Sequence, residues 1–168
     1  MSAAARRGLG GRGVARGAVY AALYAALTLA PGLNALAYGQ VQFRLSEALM
    51  VFACVDPAAV VGLTLGCALA NLGSPLVPLV PLVGSACTLL AALAMRRLGP
   101  RPLALAAPVV TNAFGVAAML ALLLDLPYWA SVVWVGLGEA AVMATAGAAL
   151  LVFVRRRGAL PGITLAAR

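Results

Sequence analysis

Six apolar runs, separated by short breaks rich in Pro, Gly and Arg, occupy the chain between residues 18 and 155. An apolar run of about 20 residues can cross a bilayer as a helix, and Pro or Gly after such a run ends it. We therefore predict an all-α integral membrane bundle of six transmembrane helices with a short second helix. The predicted helices cover about residues 18–36, 46–55, 57–72, 81–95, 103–124 and 128–154.

The second predicted helix is too short to cross a membrane. It begins near Ser46, a good N-cap residue, and ends near Val55, because Asp56-Pro57 starts a new helix with a capping Asp and a Pro in the first turn. Ten residues make about 15 Å of α-helix, whereas the hydrocarbon core is about 30 Å thick. We expect residues 38–45 to enter the protein as irregular chain, which membranes tolerate where it is buried or lines a cavity.

Composition agrees with this class, because 64% of the residues are hydrophobic and 10% are charged. A soluble domain has about 25% charged residues. The length suffices for about six spans of some 20 residues and leaves no room for a separate soluble domain.

The arginines predict the orientation. Three stretches hold 11 of the 12 arginines, and with six spans they lie on one side of the membrane: the basic N-terminal segment (1–17), the loop at 96–101 and the tail (156–168 and the adjoining Arg155). Because basic loops stay in the cytoplasm, both termini are predicted to be cytoplasmic around a six-helix domain at 18–155. This arrangement explains the net charge of +8 better than nucleic-acid binding does. Arg44 violates the rule, so orientation does not explain it.

The N-terminus also has features of a cleaved signal peptide, with arginines before an apolar run and a small-residue site at 35–37. We expect it to be retained, because the run is as long as a span and its removal would leave an odd number of helices.

Small residues recur at every fourth position of the first predicted helix. This spacing lets another helix backbone come close in lipid, and it predicts a partner interface, although an Ala-rich chain also produces such stripes by chance. A second stripe, Gly62, Gly66 and Ala70, lies in the third helix. The first stripe consists of Ala18, Ala22, Ala26 and Ala30.

Residue types that are absent exclude several functions. The sequence has no Lys and no His, so it contains neither a phosphate-binding loop ending in Gly-Lys-Ser/Thr, nor a Schiff-base lysine, nor a histidine base. No nucleophile–base pair and no pair of acids with catalytic spacing occurs, and we predict that the chain is not an enzyme. We interpret Cys54, Cys67 and Cys87 as buried thiols without metal-ligand spacing, and predict no metal site.

Two polar residues lie near the middle of predicted helices. Glu139 is about 12 residues into the sixth helix, and Asn112 is about ten residues into the fifth, which runs the opposite way. The two are therefore expected at similar depth. A carboxylate at the bilayer centre costs about 2.5–3.5 kcal/mol, and such a residue is a candidate for ligand binding; the alternative is a helix–helix hydrogen bond.

The polar stretch before the second helix has two interpretations. Arg44 and Glu47 either form an internal ion pair that holds the descending chain, or they line an outward-facing pocket together with Gln40 and Gln42.

Three further residues are candidates for either a structural role or ligand binding. Asn71, near the end of the third helix, is a cap, a packing hydrogen bond or a ligand contact. Trp134 either stacks on a planar ligand or packs and anchors the helix, and Asp56 is most simply a helix cap. Together the candidates suggest an apolar-walled pocket for a small polar ligand.

Four stretches of the chain resemble the QueT family, the substrate-binding (S) components of energy-coupling-factor (ECF) transporters for queuosine precursors. The most specific is GQVQFRLSEAL at 39–49, and the others, which extend the similarity over roughly 18–155, are 57–72, 108–113 and 135–139.

The resemblance implies a six-helix S component in a bacterial cell membrane. It implies a transmembrane coupling subunit packed on the alanine stripe and two ATPase subunits that use the ATP, with no cofactor in this chain. It also implies a ligand such as 7-cyano- or 7-aminomethyl-7-deazaguanine, for which Glu139 and Asn112 would bind the guanine-like edge and Glu47 the ammonium group. The competing interpretations are an S component for another vitamin or nucleobase-like solute, a membrane enzyme acting on lipid, and a small self-contained transporter.

Overall fold

A computed structural model of the protein describes residues 10–30, 32, 43–72 and 79–157, and no strand occurs among them. The all-α prediction is therefore confirmed for the described part of the chain. Helix 1 is Gly11–Leu29, helix 2 is the 3₁₀ helix Leu45–Cys54, helix 3 is Pro57–Asn71 and helix 4 is Leu79–Leu98. Helix 5 begins with the 3₁₀ segment Pro102–Leu105 and continues as Ala106–Leu124. Helix 6 consists of Tyr128–Val142, the π-helical segment Met143–Gly147 and Ala148–Arg157.

Helix 1 lies about seven residues earlier than predicted. It begins at Gly11, inside the basic segment, and ends at Leu29 rather than near residue 36. The next residue, Ala30, has ψ 137° and precedes Pro31. A residue before proline is disfavoured in the α region, and this restriction ends the helix although the apolar run continues.

Helix 2 has the predicted length of ten residues, and seven of them are buried. It is a 3₁₀ helix, which rises about 2.0 Å per residue and therefore extends about 20 Å, still less than the hydrocarbon core. The prediction that Ser46 caps it is wrong, since the helix begins at Leu45 and its N-cap position is Arg44, without a side-chain cap. Helix 2 lies in the centre of the bundle and contacts helices 1, 3, 4 and 6.

Helices 1 and 3 run parallel and touch backbone to backbone. Gly62 lies against the Gly17 carbonyl, and one turn later Gly66 lies against Ala21. A Cβ on Gly66 would come within 2.7 Å of the Ala21 carbonyl oxygen and 2.8 Å of Tyr24 Cβ. The predicted small-residue stripe of helix 3 therefore serves close packing against helix 1 within the chain.

The remaining helices pack antiparallel to their chain neighbours. Helix 4 packs on helix 3 where Gly84 approaches Asn71. Helix 5 packs on helix 4 where Gly115 approaches Cys87. Helix 6 meets helix 5 where Gly136 approaches Ala113, since a Cβ added to Gly136 would lie 3.4 Å from Ala113 Cβ. All three cysteines are buried, as predicted.

Among the described residues, three helices are long and apolar enough to cross a membrane by length and composition, namely Leu79–Leu98, Pro102–Leu124 and Tyr128–Arg156. The protein is thus a helical membrane protein, while six crossings remain a prediction. The π-helical segment in helix 6 was not foreseen; it begins one turn after Glu139 and packs against helix 2.

Candidate functional site

The core of the bundle contains a group of polar side chains, which we call the Glu139 cluster. Each is at most 6% exposed, and together they come from four of the six helices and from Arg44, which immediately precedes helix 2. Burying so many polar and charged groups in an apolar bundle is unfavourable unless they bind one another or a ligand. The members are Tyr24, Arg44, Glu47, Asn112 and Glu139.

Helix 1 holds helix 2 through hydroxyl groups. The Tyr24 hydroxyl donates a hydrogen bond to Glu47 Oε1. One turn along helix 1, Thr28 Oγ1 donates to the Tyr24 carbonyl oxygen at 2.9 Å and lies 2.7 Å from Ser46 Oγ. Because the Thr28 hydrogen is used on the carbonyl, Ser46 is the donor between the two hydroxyls. The side chain predicted to cap helix 2 therefore fixes it against helix 1.

Arg44 interacts electrostatically with both carboxylates of the cluster. Its Nη1 lies 3.9 Å from Glu47 Oε1, so the predicted ion pair exists at the long end of ion-pair distances. Both side chains are almost fully buried, where charges are weakly screened. The pair is thus a feature of the protein interior, which accounts for an arginine that the orientation rule does not explain.

Asn112 is a polar neighbour of both carboxylates, those of Glu47 and Glu139. The antiparallel packing of helices 5 and 6 brings Asn112 and Glu139 to one depth, as expected from their positions in the sequence. Two carboxylate oxygens, Glu47 Oε2 and Glu139 Oε1, are buried and have no hydrogen-bond partner among the described residues. These two buried oxygens are acceptors that are still available to a donor.

A smaller polar group extends the cluster toward helices 3 and 4. The Asn71 amide donates to Cys67 Sγ at 3.3 Å, and the Thr88 side chain is a neighbour of this sulfur. Gly84 makes the space for Asn71, since a Cβ there would lie 2.7 Å from Asn71 Nδ2. Asn71 thus reaches the Glu139 cluster through Cys67, which also interacts electrostatically with Arg44 and Glu47.

Comparison with protein families gives the same assignment as the four sequence stretches. The family model described as QueT transporter matches residues 14–156. The chain belongs to the QueT transporter family. The resemblance seen in the sequence is therefore confirmed, and QueT membership indicates a membrane transporter rather than an enzyme.

One relative of the chain carries a functional name. The queuosine precursor transporter QueT of Lactococcus lactis subsp. cremoris (strain MG1363) is 44% identical to it over 54 residues. This match covers 32% of the chain and 32% of the relative, so the chain spans about a third of the curated relative's length. No solved structure matches the chain.

The other candidates of this QueT-family chain have different positions. Trp134 is 50% exposed and lies off the buried face of helix 6, which carries Ser131, Val135 and Glu139. Gln40 and Gln42 lie outside the described residues. Three alanines of the predicted partner stripe are exposed and the fourth is partly buried; the stripe is Ala18, Ala22, Ala26 and Ala30.

A second charged group, which we call the Asp56 cluster, lies where helix 3 begins. Asp56 Oδ1 accepts from the Ala58 amide at 2.9 Å, which confirms the predicted cap. The carboxylate also binds Arg16, with 2.9 Å between Nε and Oδ2, and accepts from the Tyr20 hydroxyl at 3.3 Å. Asp56 therefore ties the start of helix 3 to the N-terminal half of helix 1 in addition to capping.

Reasoning from the sequence missed Tyr24 and Thr88, both fully buried. Tyr24 and Thr28 are four residues apart on the helix 1 face away from the alanine stripe, and this spacing was an available signal. Thr88 has a weaker signal, as a hydroxyl in the middle of an apolar helix.

Proposed function

We propose that this QueT-family chain is the substrate-binding subunit of an ATP-driven ECF importer and takes up a queuosine precursor of the 7-deazaguanine class. The observation that supports it most is the Glu139 cluster, in which a buried carboxylate offers an acceptor oxygen that has no partner in the described part of the chain. The name of the Lactococcus relative supports the choice of ligand.

A guanine-like edge is chemically complementary to this cluster. It presents a ring N–H and an amino group, two adjacent donors, to a carboxylate such as Glu139. Asn112 can both donate to and accept from the same edge. An aminomethyl substituent is an ammonium near neutral pH, and Glu47 is the second carboxylate within the cluster that can bind it. Gln40 and Gln42 remain proposed contacts on the side of the chain that precedes helix 2.

An ATP-driven import of this kind would take its energy from partner chains, because the sequence lacks the lysine of a phosphate-binding loop. We assign ATP hydrolysis to two ATPase subunits and their contact to a transmembrane coupling subunit. The exposed stripe formed by Ala18, Ala22 and Ala26 is the proposed surface for that subunit, since small residues permit close helix approach in lipid. The location proposed is a bacterial cell membrane, with both termini in the cytoplasm.

The ligand is tested by calorimetry and thermal shift on the purified chain, with 7-cyano- and 7-aminomethyl-7-deazaguanine, guanine and the B vitamins as the panel. The expected result is a response to a deazaguanine and none to the vitamins. A clear response to a vitamin with none to either deazaguanine would overturn the queuosine assignment and leave an S component for another solute.

The coupling surface is tested by uptake of labelled ligand in cells with and without the coupling and ATPase subunits. Uptake is expected only with the partners, and uptake by the chain alone would identify a self-contained transporter instead. In the presence of partners, Ala22→Leu is expected to abolish uptake while ligand binding to the isolated chain stays unchanged. Ala149→Leu, at an exposed alanine of helix 6, is the matched control and should transport normally.

A further inference from the structure

The Glu139 cluster has more potential negative than positive charge. Arg44 is the one basic residue between residues 17 and 95 of the sequence, and no basic residue occurs at 102–154. Among the described residues, Arg44 is also the one buried arginine. The cluster therefore sets a single permanent positive charge against two carboxyl groups, Glu47 and Glu139.

The contacts distribute this charge unevenly. Glu47 Oε1 is bound by the Tyr24 hydroxyl and lies near Arg44, so Glu47 has the environment of an ionised group. Glu139 shares two features with Glu47, the neighbouring Asn112 side chain and a buried oxygen without a partner among the described residues. Its charged neighbours are Glu47 and Arg44. Glu139 is thus the second carboxylate beside a pair that is already balanced.

An uncompensated charge in a buried, water-poor site is strongly unfavourable. Two carboxylates in one site also repel each other, so that one of them holds a proton unless a cation is present. The charge count and the burial together require that a second positive charge, a proton or a ligand cation, completes the cluster.

We propose that the ligand-free Glu139 cluster carries one proton on its carboxyl pair, and that a cationic ligand replaces this proton when it binds. The proposal rests on the function proposed above and specifies the charge of the favoured substrate. A planar ligand with an ammonium substituent is expected to bind more tightly than a neutral one with the same ring.

The exchange is balanced. The O–H bond of the carboxylic acid breaks, its proton goes to bulk water, and the resulting carboxylate is paired with the ligand ammonium. No electron moves and no other reactant is needed. A neutral ligand brings no charge, so it leaves the proton in place or binds against an uncompensated carboxylate.

The other titratable groups that face the pair do not supply the missing charge. Tyr24 and the thiols of Cys67 and Cys87 are neutral when protonated, and helix 5 contributes the amide of Asn112, which does not titrate. Asp56 belongs to the Asp56 cluster, where Arg16 balances it.

The proton is tested without any ligand, by infrared spectroscopy of the purified protein near neutral pH. A protonated-carboxyl C=O band is expected in the wild type and in Asp56→Asn, whose carboxylate is paired with Arg16. The band is expected to disappear in Glu139→Gln, where the remaining Glu47 is balanced by Arg44. A wild type without the band would overturn the proposal whatever the protein binds.

The exchange is tested by calorimetry of both deazaguanines in buffers of different ionisation enthalpy. Binding of the aminomethyl compound is expected to release about one proton from the cluster. Its affinity should therefore increase about tenfold for each unit by which the pH is raised, within the range where the free cluster is protonated. Binding of the cyano compound should release fewer protons and should be at least about tenfold weaker. Glu139→Gln should remove this preference for the aminomethyl compound. Binding of the aminomethyl compound without proton release, or tighter binding of the cyano compound, would overturn the exchange.

The two proposals fail in distinguishable ways. If neither deazaguanine binds, the proposed function fails and the ligand exchange fails with it, while the infrared band still decides whether the carboxyl pair holds a proton. If both bind but no proton is exchanged, the function stands and the charge exchange is wrong.

Discussion

The Asp56 cluster and the Glu139 cluster contain the same three kinds of side chain, an arginine, a carboxylate and a tyrosine from helix 1. Tyr20 and Tyr24 are one turn apart and serve one cluster each. In the Asp56 cluster both carboxylate oxygens are bound, by Arg16, Tyr20 and the Ala58 amide, and Arg16 is partly exposed. The Asp56 carboxylate thus has a partner at each oxygen, and its charge is balanced by Arg16.

The Glu139 cluster differs in two respects. It contains a second carboxylate for the same single arginine, and two of its buried oxygens have no partner among the described residues. A buried ion pair made only for stability gains from having every lone pair bound. The Asp56 cluster thus holds two helices together, while the Glu139 cluster keeps two buried acceptor oxygens that the proposed ligand would bind.

The largest effect that separates the two clusters is expected from Glu139→Gln. Losing a charged acceptor costs about 1.5–3 kcal/mol, which corresponds to roughly tenfold to hundredfold weaker deazaguanine binding by calorimetry. The unfolding temperature of the ligand-free protein should not fall, because the substitution replaces a buried carboxyl group by a neutral amide of similar size. Asp56→Asn is the matched control and should bind within about twofold of the wild type; unchanged affinity in Glu139→Gln would show that Glu139 does not bind the ligand.

Gly66→Ala is expected to disturb both clusters, because it displaces the helix that carries both tyrosines. The added Cβ would meet the Ala21 carbonyl oxygen at 2.7 Å, and such overpacking typically costs about 1–3 kcal/mol. Thermal unfolding in detergent should show the loss of stability, accompanied by weaker ligand binding. Gly11→Ala, where no atom lies within 4 Å of the new Cβ, should change neither.

Asp56→Ala is expected to lower stability by about 1–2 kcal/mol, as it removes both a helix cap and an ion pair. Asp56→Asn keeps a capping side chain, so the difference between the two variants separates the cap from the ion pair. Because Arg16 is 37% exposed, the ion pair should contribute the smaller part. Thermal unfolding measures both variants, and a larger loss in Asp56→Asn than in Asp56→Ala would contradict this division.

Tyr20→Phe and Tyr24→Phe form a matched pair with smaller effects of about 0.5–1.5 kcal/mol, the usual net contribution of one hydrogen bond. Tyr24→Phe should weaken ligand binding about twofold to tenfold, because Glu47 loses a donor. Tyr20→Phe should reduce stability slightly and leave affinity unchanged. Equal effects of the two variants on binding would remove the functional distinction between the clusters.

Local signals predicted much of this arrangement. The spacing from Ser46 to Asp56 predicted a short second helix, the Asp-Pro pair predicted the cap of helix 3, and positions counted along two helices predicted that Asn112 and Glu139 share a depth. Each of these depends on residues close in sequence or on the alternation of helix direction. The orientation of the termini and the number of crossings stay predictions.

The missing parts depend on contacts between distant residues or on a signal that was overlooked. Tyr24 reaches Glu47 because two glycines of helix 3 set the rotation of helix 1, and a single helix does not reveal its rotation. Pro31 predicts the end of helix 1, whereas the apolar run by itself predicts a helix that continues to about residue 36. Trp134 is five residues from Glu139, and at about 100° per residue it lies on a different face of helix 6, which the sequence does contain.

The backbone contact between helices 1 and 3 has a mechanical consequence. With glycine at positions 62 and 66, the two helices approach without intervening side chains, and nothing flexible separates them that could absorb a relative displacement. The two helices should therefore move as one rigid body, carrying Tyr24 and Cys67 together, with any hinge located elsewhere. Spin labels at the exposed positions of Val19 and Val61 should accordingly keep their distance when ligand is added.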